Sequence, residues 1–204
     1  NVTAADYQRL LYGESGSLRK AVYSCVADSW KKLNPFGKPT ILFAANLEQS
    51  QWWVDEFGRH GIRFVHIDGV RIYRGQRREN DLPIIERSTD EARDDVAMDL
   101  REGRIHGVTN YLVLREGVDW PFLCHGIMAV IPTKLTAFLQ AGGRLLRAAP
   151  GKDSVIFQDH AGMHHRWHYS LNDDIEWKLG CRQGEIVEYL RRKYRTGERP
   201  EPVV

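Results

Sequence analysis

The chain has 204 residues, 42% of them hydrophobic and 27% charged, with a formal net charge of +2. This size and apolar share suit one domain with peripheral additions around a substantial core. The near balance of charge excludes an acidic solvating tail and a uniformly basic coat, so any nucleic-acid contact must come from local patches. No apolar run approaches a membrane span, and the start of the chain lacks a basic-then-apolar signal pattern. Cys25, Cys124 and Cys181 are widely spaced, with no C-x-x-C pair, which predicts inert thiols in a reducing cytoplasm.

In chain order, residues 1–16 are polar and read as a linker or frayed lead-in. Ser17 is positioned to cap a helix with apolar residues Leu18, Val22, Val26, Trp30 and Leu33, stopped by Asn34, Pro35 and Gly37. An alternation of strands and helices follows. Strands are expected at Ile41–Ala45, Phe64–Ile67, from Gly107 to Thr109, at Ile127–Ile131 and at Val155–Gln158. Helices are expected at Leu47–His60, Thr89–Glu102 and Thr133–Arg147, the first two closed by Gly61 and Gly103. This pattern predicts a three-layer α/β domain with a parallel sheet, its functional loops at the carboxyl ends of the strands. Two segments depart from it. Residues 70–87 interrupt the alternation, and Glu185–Arg195 forms a short basic helix before a Pro-rich end that composition predicts to be disordered.

The string QAGGRLLR, Gln140 to Arg147, carries the most chemistry. On a helix, Arg144 and Arg147 share one face with Gln140 one turn earlier. Guanidinium forks suit the planar, charged oxygens of phosphate, although the same pattern also describes a basic helix face with ordinary surface charges. The chain contains no G-x-x-x-x-G-K-[ST], because Gly37-Lys38 is followed by Pro39 and Gly151-Lys152 by Asp153. It has no Asp-Glu-x-Asp or Asp-Glu-x-His string either. A complete P-loop nucleotide site is therefore excluded.

TILFAAN (Thr40 to Asn46), VTN (Val108 to Asn110) with REGVDWP (Arg115 to Pro121), and QAGGRLLR occur in that order. The succession resembles motifs IV, V and VI of the second RecA-like domain of superfamily 2 DEAD/DEAH-box helicases. It is most similar to the type III restriction motor, RadD-like and XPB-like group. The resemblance covers roughly residues 38 to 180. It implies a lead-in over 1–37, a RecA-like domain over 38–180 with an insertion at 70–87, and a basic helix and tail over 181–204.

The resemblance further implies the partners and the sites. The domain would be cut from a longer protein and close over ATP with Mg2+, held mainly by a first RecA-like domain. Arg147 would be the finger nearest the γ-phosphate, Arg144 a second phosphate contact, and Gln140 a positioner of the γ-phosphate or water. Gly142 and Gly143 would keep that face low so that nucleotide can approach. Gly117 would permit a tight turn, and Asp119 would accept from a ribose hydroxyl or a motif VI arginine. Asn46, Arg93, Thr109 and Asn110 would meet nucleic-acid phosphates, with DNA favoured over RNA. Asn46 also reads as a helix cap, and Arg93 as half of a surface ion pair with Asp90 or Asp94. Arg71, Arg74, Arg77 and Arg78 around Tyr73 read either as a stacking and phosphate-binding finger or as a solvated loop. His160, His164, His165 and His168 read as packing and surface histidines, not a metal site. The expected function is the second motor domain of an ATP-dependent helicase or translocase, inactive alone. The alternatives are a non-enzymatic nucleic-acid-binding module and a histidine-ligated metal hydrolase.

Overall fold

The computed structural model describes residues 26–76, 82–111, 120–132, 134–163, 171 and 182–195. Its centre is β1 (Thr40–Phe43), buried on both faces. This strand pairs in parallel with β5 (Gly107–Asn110) on one side and β6 (His125–Met128) on the other. β2 (Phe64–Ile67) extends the parallel sheet beyond β5, and β7 (Ile156–Asp159) extends it beyond β6. β3 (Arg71–Gln76) and β4 (Pro83–Arg87) add an antiparallel edge. The order is β4-β3-β2-β5-β1-β6-β7.

Alternate residues of the strands feed two cores, as the twofold period of a strand requires. Ile41 and Phe43 pack with Val96 and Leu100 of α3 (Asp90–Arg101), with Leu135, Phe138 and Leu145 of α4 (Leu135–Leu145), and with Leu190 of α5 (Gln183–Arg195). Leu42 and Ala44 pack with Val26 and Trp30 of α1 (residues 26–33) and with Trp53 and Phe57 of α2 (Leu47–Arg59). The three-layer α/β expectation holds: a mainly parallel sheet lies between two helical layers. Among the described residues no helix is long and apolar enough to cross a membrane.

Local signals set most of the boundaries. Asn46 Oδ1 accepts from the Gln49 amide at 2.8 Å, and Gln49 Oε1 accepts in return from the Ala45 amide at 2.7 Å. This reciprocal arrangement satisfies donors at the start of α2 that have no partner within the helix. Thr89 caps α3 through the Ala92 amide, with Asp90 and Glu91 against the positive end of the helix dipole. Gly61 and Gly103 follow these helices with φ of 74° and 73°. Gly126 on β6 has a different purpose. A Cβ there would lie 2.1 Å from Leu145 Cδ1, so only glycine lets α4 settle on the sheet.

The structure corrects several expectations. Residues 70–87 are mostly a β-hairpin, not a loop or a finger. Tyr73 is buried and donates to Asp55 of α2 at 2.7 Å, while Arg74 bridges Glu86 at 2.7 Å and Asp99 of α3 at 3.2 Å. Neither is available to stack on a base or grip a phosphate. Arg77 and Arg78 lie outside the described residues. β6 begins two residues before the expected strand and ends at Met128, and α4 stops at Leu145. Arg147 therefore lies beyond the helix that was to carry it. The lead-in over 1–16, the Ser17 cap and the C-terminal tail also fall outside the described residues.

A row of polar side chains crosses β6 and β7. His125 Nε2 lies 2.5 Å from Gln158 Oε1, and Gln158 Nε2 lies 3.2 Å from His160 Nε2. His125 is 1% exposed, and burial pushes its imidazole down to about 4. Burial lowers His66 and His160 as well. Below the ordinary histidine value near 6.5 the unfolded chain takes up protons that the folded chain refuses. Stability is thus fully present above that pH and falls as pH drops toward 4, His125 alone contributing at most about 3 kcal/mol of the loss. The thermal unfolding midpoint should fall across this window. His125→Gln, which still donates to Gln158 but does not titrate, should flatten the slope; an unchanged slope would contradict the assignment.

Candidate functional site

Because the central strands are parallel, their carboxyl ends share one edge. Phe43 is in register with Asn110 and with Met128, and Met128 with Asp159. The segments leaving these strands meet there around a cleft of about 250 Å³ lined by Phe43, Asn110, Tyr111, Met128, Gln140 and Arg144, among others. Helix α4 faces it with Ala137, Gln140, Ala141 and Arg144, the i, i+3, i+4, i+7 stripe of a single helical face. An amide and a guanidinium thus project side by side over an apolar floor.

Asn110 stands opposite them on β5. It is 5% exposed, and its Nδ2 has no hydrogen-bond partner among the described residues. An unsatisfied buried amide costs about 1–3 kcal/mol, and this one lies on the wall of the cleft. Nothing in the sequence distinguishes it from its neighbour Thr109. The structure separates them: Thr109 is fully buried, and its hydroxyl donates to the Ser50 carbonyl at 2.8 Å.

Ser50 opens a buried chain that sequence reasoning missed. Its Oγ lies 2.7 Å from His66 Nδ1 and 2.9 Å from Thr109 Oγ1, and His66 Nε2 lies 3.2 Å from Asp68 Oδ2. Asp68 Oδ1 accepts from the Val70 and Arg71 amides at 2.6 Å. Burial outweighs Asp68 and keeps His66 below its ordinary value, so the ring is neutral at pH 7. Its Nε2–H then points to Asp68 and Nδ1 takes the single Ser50 hydroxyl proton, while Thr109 is tied in through its own bond to the Ser50 carbonyl. Ser50 and His66 have no exposed surface; this Ser-His-Asp chain is a brace joining α2, β2 and β5 beneath Asn110, not a nucleophile.

The remaining predicted residues are dispersed. Asn46 is exposed, and its side-chain oxygen caps α2. Half-buried Arg93 donates to Ser88 Oγ at 2.9 Å and lies 3.7 Å from Asp90; it does not line the cleft. Exposed Arg147 follows the helix cap Leu146 and does not line it either. A Cβ on Gly143 would meet nothing within 4 Å, whereas one on Gly142 would lie 2.5 Å from Leu171. Gly142 is therefore a packing glycine, and only Gly143 leaves an open surface. Gly117, Asp119, His164, His165 and His168 lie outside the described residues. Among those described, no group of three histidine, cysteine, aspartate or glutamate side chains is arranged to hold a metal ion.

No protein-family model matches the chain. A 51.5 kDa protein of Lactococcus phage (isolate 7-9) is 29% identical over 160 residues, covering 74% of this chain and 31% of that protein. The chain thus spans about a third of the length of this curated relative. Among solved structures, the C-terminal part of the Fun30 ATPase domain superimposes with a TM-score of 0.53 at 10% identity, over 95% of this chain and 56% of that one. A Dbp5 variant from S. cerevisiae bound to RNA and ADP BeF3 gives 0.51 at 14% identity, over 85% of this chain and 42% of the other. The fold is RecA-like. It is the α/β architecture of these neighbours, one an ATPase domain and the other carrying a nucleotide and RNA.

The two glycines of α4 separate packing from approach. Gly143→Ala should raise the stability of the domain by roughly 0.5–1 kcal/mol, since glycine within a helix costs about that much relative to alanine. Gly142→Ala should gain less or lose, because it displaces Leu171. Denaturant midpoints check the order, and destabilisation by Gly143→Ala would contradict its open placement.

Proposed function

We propose that this chain is the second motor domain of an ATP-dependent superfamily 2 helicase or translocase, working against a first RecA-like domain that holds ATP and Mg2+. The observation that most supports the reading is the Gln140–Arg144 face over a cleft at the carboxyl edge of the sheet, where open α/β sheets bind ligands. Guanidinium and amide donors suit phosphate oxygens and not a magnesium ion, which fits a metal held by the other domain.

In this reading Arg144 and Gln140 meet the phosphates when the two domains close, and Gly143 leaves room for the approach. Arg147, on the exposed turn after the helix, supplies the finger that stabilises the phosphoryl-transfer transition state, worth on the order of 10³ to 10⁵ in rate. Gly117 and Asp119, between β5 and β6, complete the nucleotide side. Asn46, Asn110 and Arg93 grip nucleic-acid phosphates. Thr109, its hydroxyl committed to Ser50, acts through the backbone. Opening and closing of the cleft shifts these contacts along a strand. The sequence resemblance to the type III restriction motor, RadD-like and XPB-like group puts DNA first as the track, while the Dbp5 neighbour is bound to RNA.

Nucleic-acid-stimulated ATP hydrolysis tests this, with single-stranded DNA and RNA compared. The chain alone should be inactive, and a protein carrying both RecA-like domains active. Arg147→Ala should then lose about 10³-fold in rate, and Arg144→Ala should also fall. Hydrolysis by this chain alone, or indifference to both substitutions, would contradict the proposal. Salt-sensitive nucleic-acid binding with no hydrolysis in the two-domain protein would favour a binding module instead.

A further inference from the structure

The helix that carries Gln140 and Arg144 ends four residues short of the Pro150-Gly151 stop in its sequence. Leu146, Arg147, Ala148 and Ala149 are acceptable or good helix formers, yet α4 stops at Leu145. Just beyond, Ala149-Pro150-Gly151-Lys152 forms a tight turn closed by the Lys152 amide on the Ala149 carbonyl at 3.1 Å, with Gly151 at φ 73°. Proline followed by a positive-φ glycine is the signature of a type II turn. It sends the Lys152 side chain back under the helix. There Nζ donates to three main-chain carbonyls: Leu145, the last residue of α4; Arg147, at 2.9 Å; and Pro121, at 2.7 Å.

An ammonium group has three donors and the lysine spends each on a carbonyl. One of those carbonyls is the last of α4 and a second lies two residues beyond it, where cations are favoured by unpaired C=O groups and the helix dipole. The third belongs to Pro121, between β5 and β6 and 31 residues before Lys152 in sequence. One side chain thus fastens the backbone of Arg147 to Pro121, just ahead of β6. Burial lowers the Lys152 pKa, as expected for a cation held by dipoles rather than by a carboxylate.

We propose that Lys152 is a positioning residue for the motor reaction, fastening the backbone of Arg147 to Pro121 so that the arginine keeps its place relative to the sheet when it meets nucleotide. The inference rests on the function proposed above. Arginine presents a planar fork that does not match three convergent carbonyls, glutamine offers two donors, and methionine has the length without a donor.

The test is a double-mutant cycle between Lys152→Met and Arg147→Ala in the two-domain protein, reading kcat and KM for ATP with saturating single strand, at temperatures well below each variant's unfolding midpoint. Lys152→Met should lower kcat about 100-fold, the cost of a misplacement near 1 Å, with KM little changed, and should add almost nothing to Arg147→Ala. Lys152→Gln should recover part of the loss, and it replaces Lys152→Met in the cycle if that variant does not fold. Equal losses in both backgrounds, or no loss in folded protein, overturn the proposal. Full activity in Arg147→Ala itself would overturn the functional reading instead, a distinct result.

Discussion

Parallel pairing around β1 is the constraint on which the rest of the molecule depends. β2, β5, β1, β6 and β7 run the same way, so crossovers must carry the chain back between them and all must end on one edge. Burial of both faces of β1 fixes its register against its neighbours, since a one-residue slip would exchange the two cores. That register brings Phe43, Asn110 and Met128 into one row, and the cleft forms above it. The site is a consequence of the pairing, with α4 as its wall.

Two buried devices hold this edge in shape. Beneath it, the Ser50–His66–Asp68 chain with Thr109 ties α2 to β2 and β5, leaving Asn110 as the polar side chain that β5 presents to the cleft. At the far end of α4, Lys152 closes the helix and binds it to Pro121. Gly126 brings the same helix onto the sheet. The stripe of Gln140 and Arg144 is therefore fixed at both of its surroundings: by close packing on the strand side, and by an ammonium on three carbonyls at the helix end.

The layers were legible in the sequence because they rest on local signals. The apolar run at β1, the caps at Asn46 and Thr89, and the glycines at 61 and 103 each act within a few residues, and they gave the elements to within a residue or two. The hairpin at 70–87 was not legible. Tyr73 and Arg74 are held by Asp55 and Asp99, 18 and 25 residues away, so nothing local distinguishes them from a basic loop. The end of α4 came two residues before the expected Arg147, where Lys152, seven residues past Leu145, takes up the helix's last carbonyl. In the site, Gln140 and Arg144 could be paired from helical spacing alone. The burial of Thr109, the packing role of Gly142 and the unpaired donor of Asn110 depend on partners brought in by the fold.

The central claim, that the carboxyl edge and the α4 face receive a nucleotide held by another domain, is tested most directly by amide hydrogen exchange. The two-domain protein would be compared with and without a non-hydrolysable ATP analogue, Mg2+ and a single-stranded oligonucleotide. The account predicts slowed exchange at residues 107–111 and 137–147, with β3 and β4 unchanged. Protection confined to other surfaces, or none at 137–147 while the analogue is bound, would contradict it.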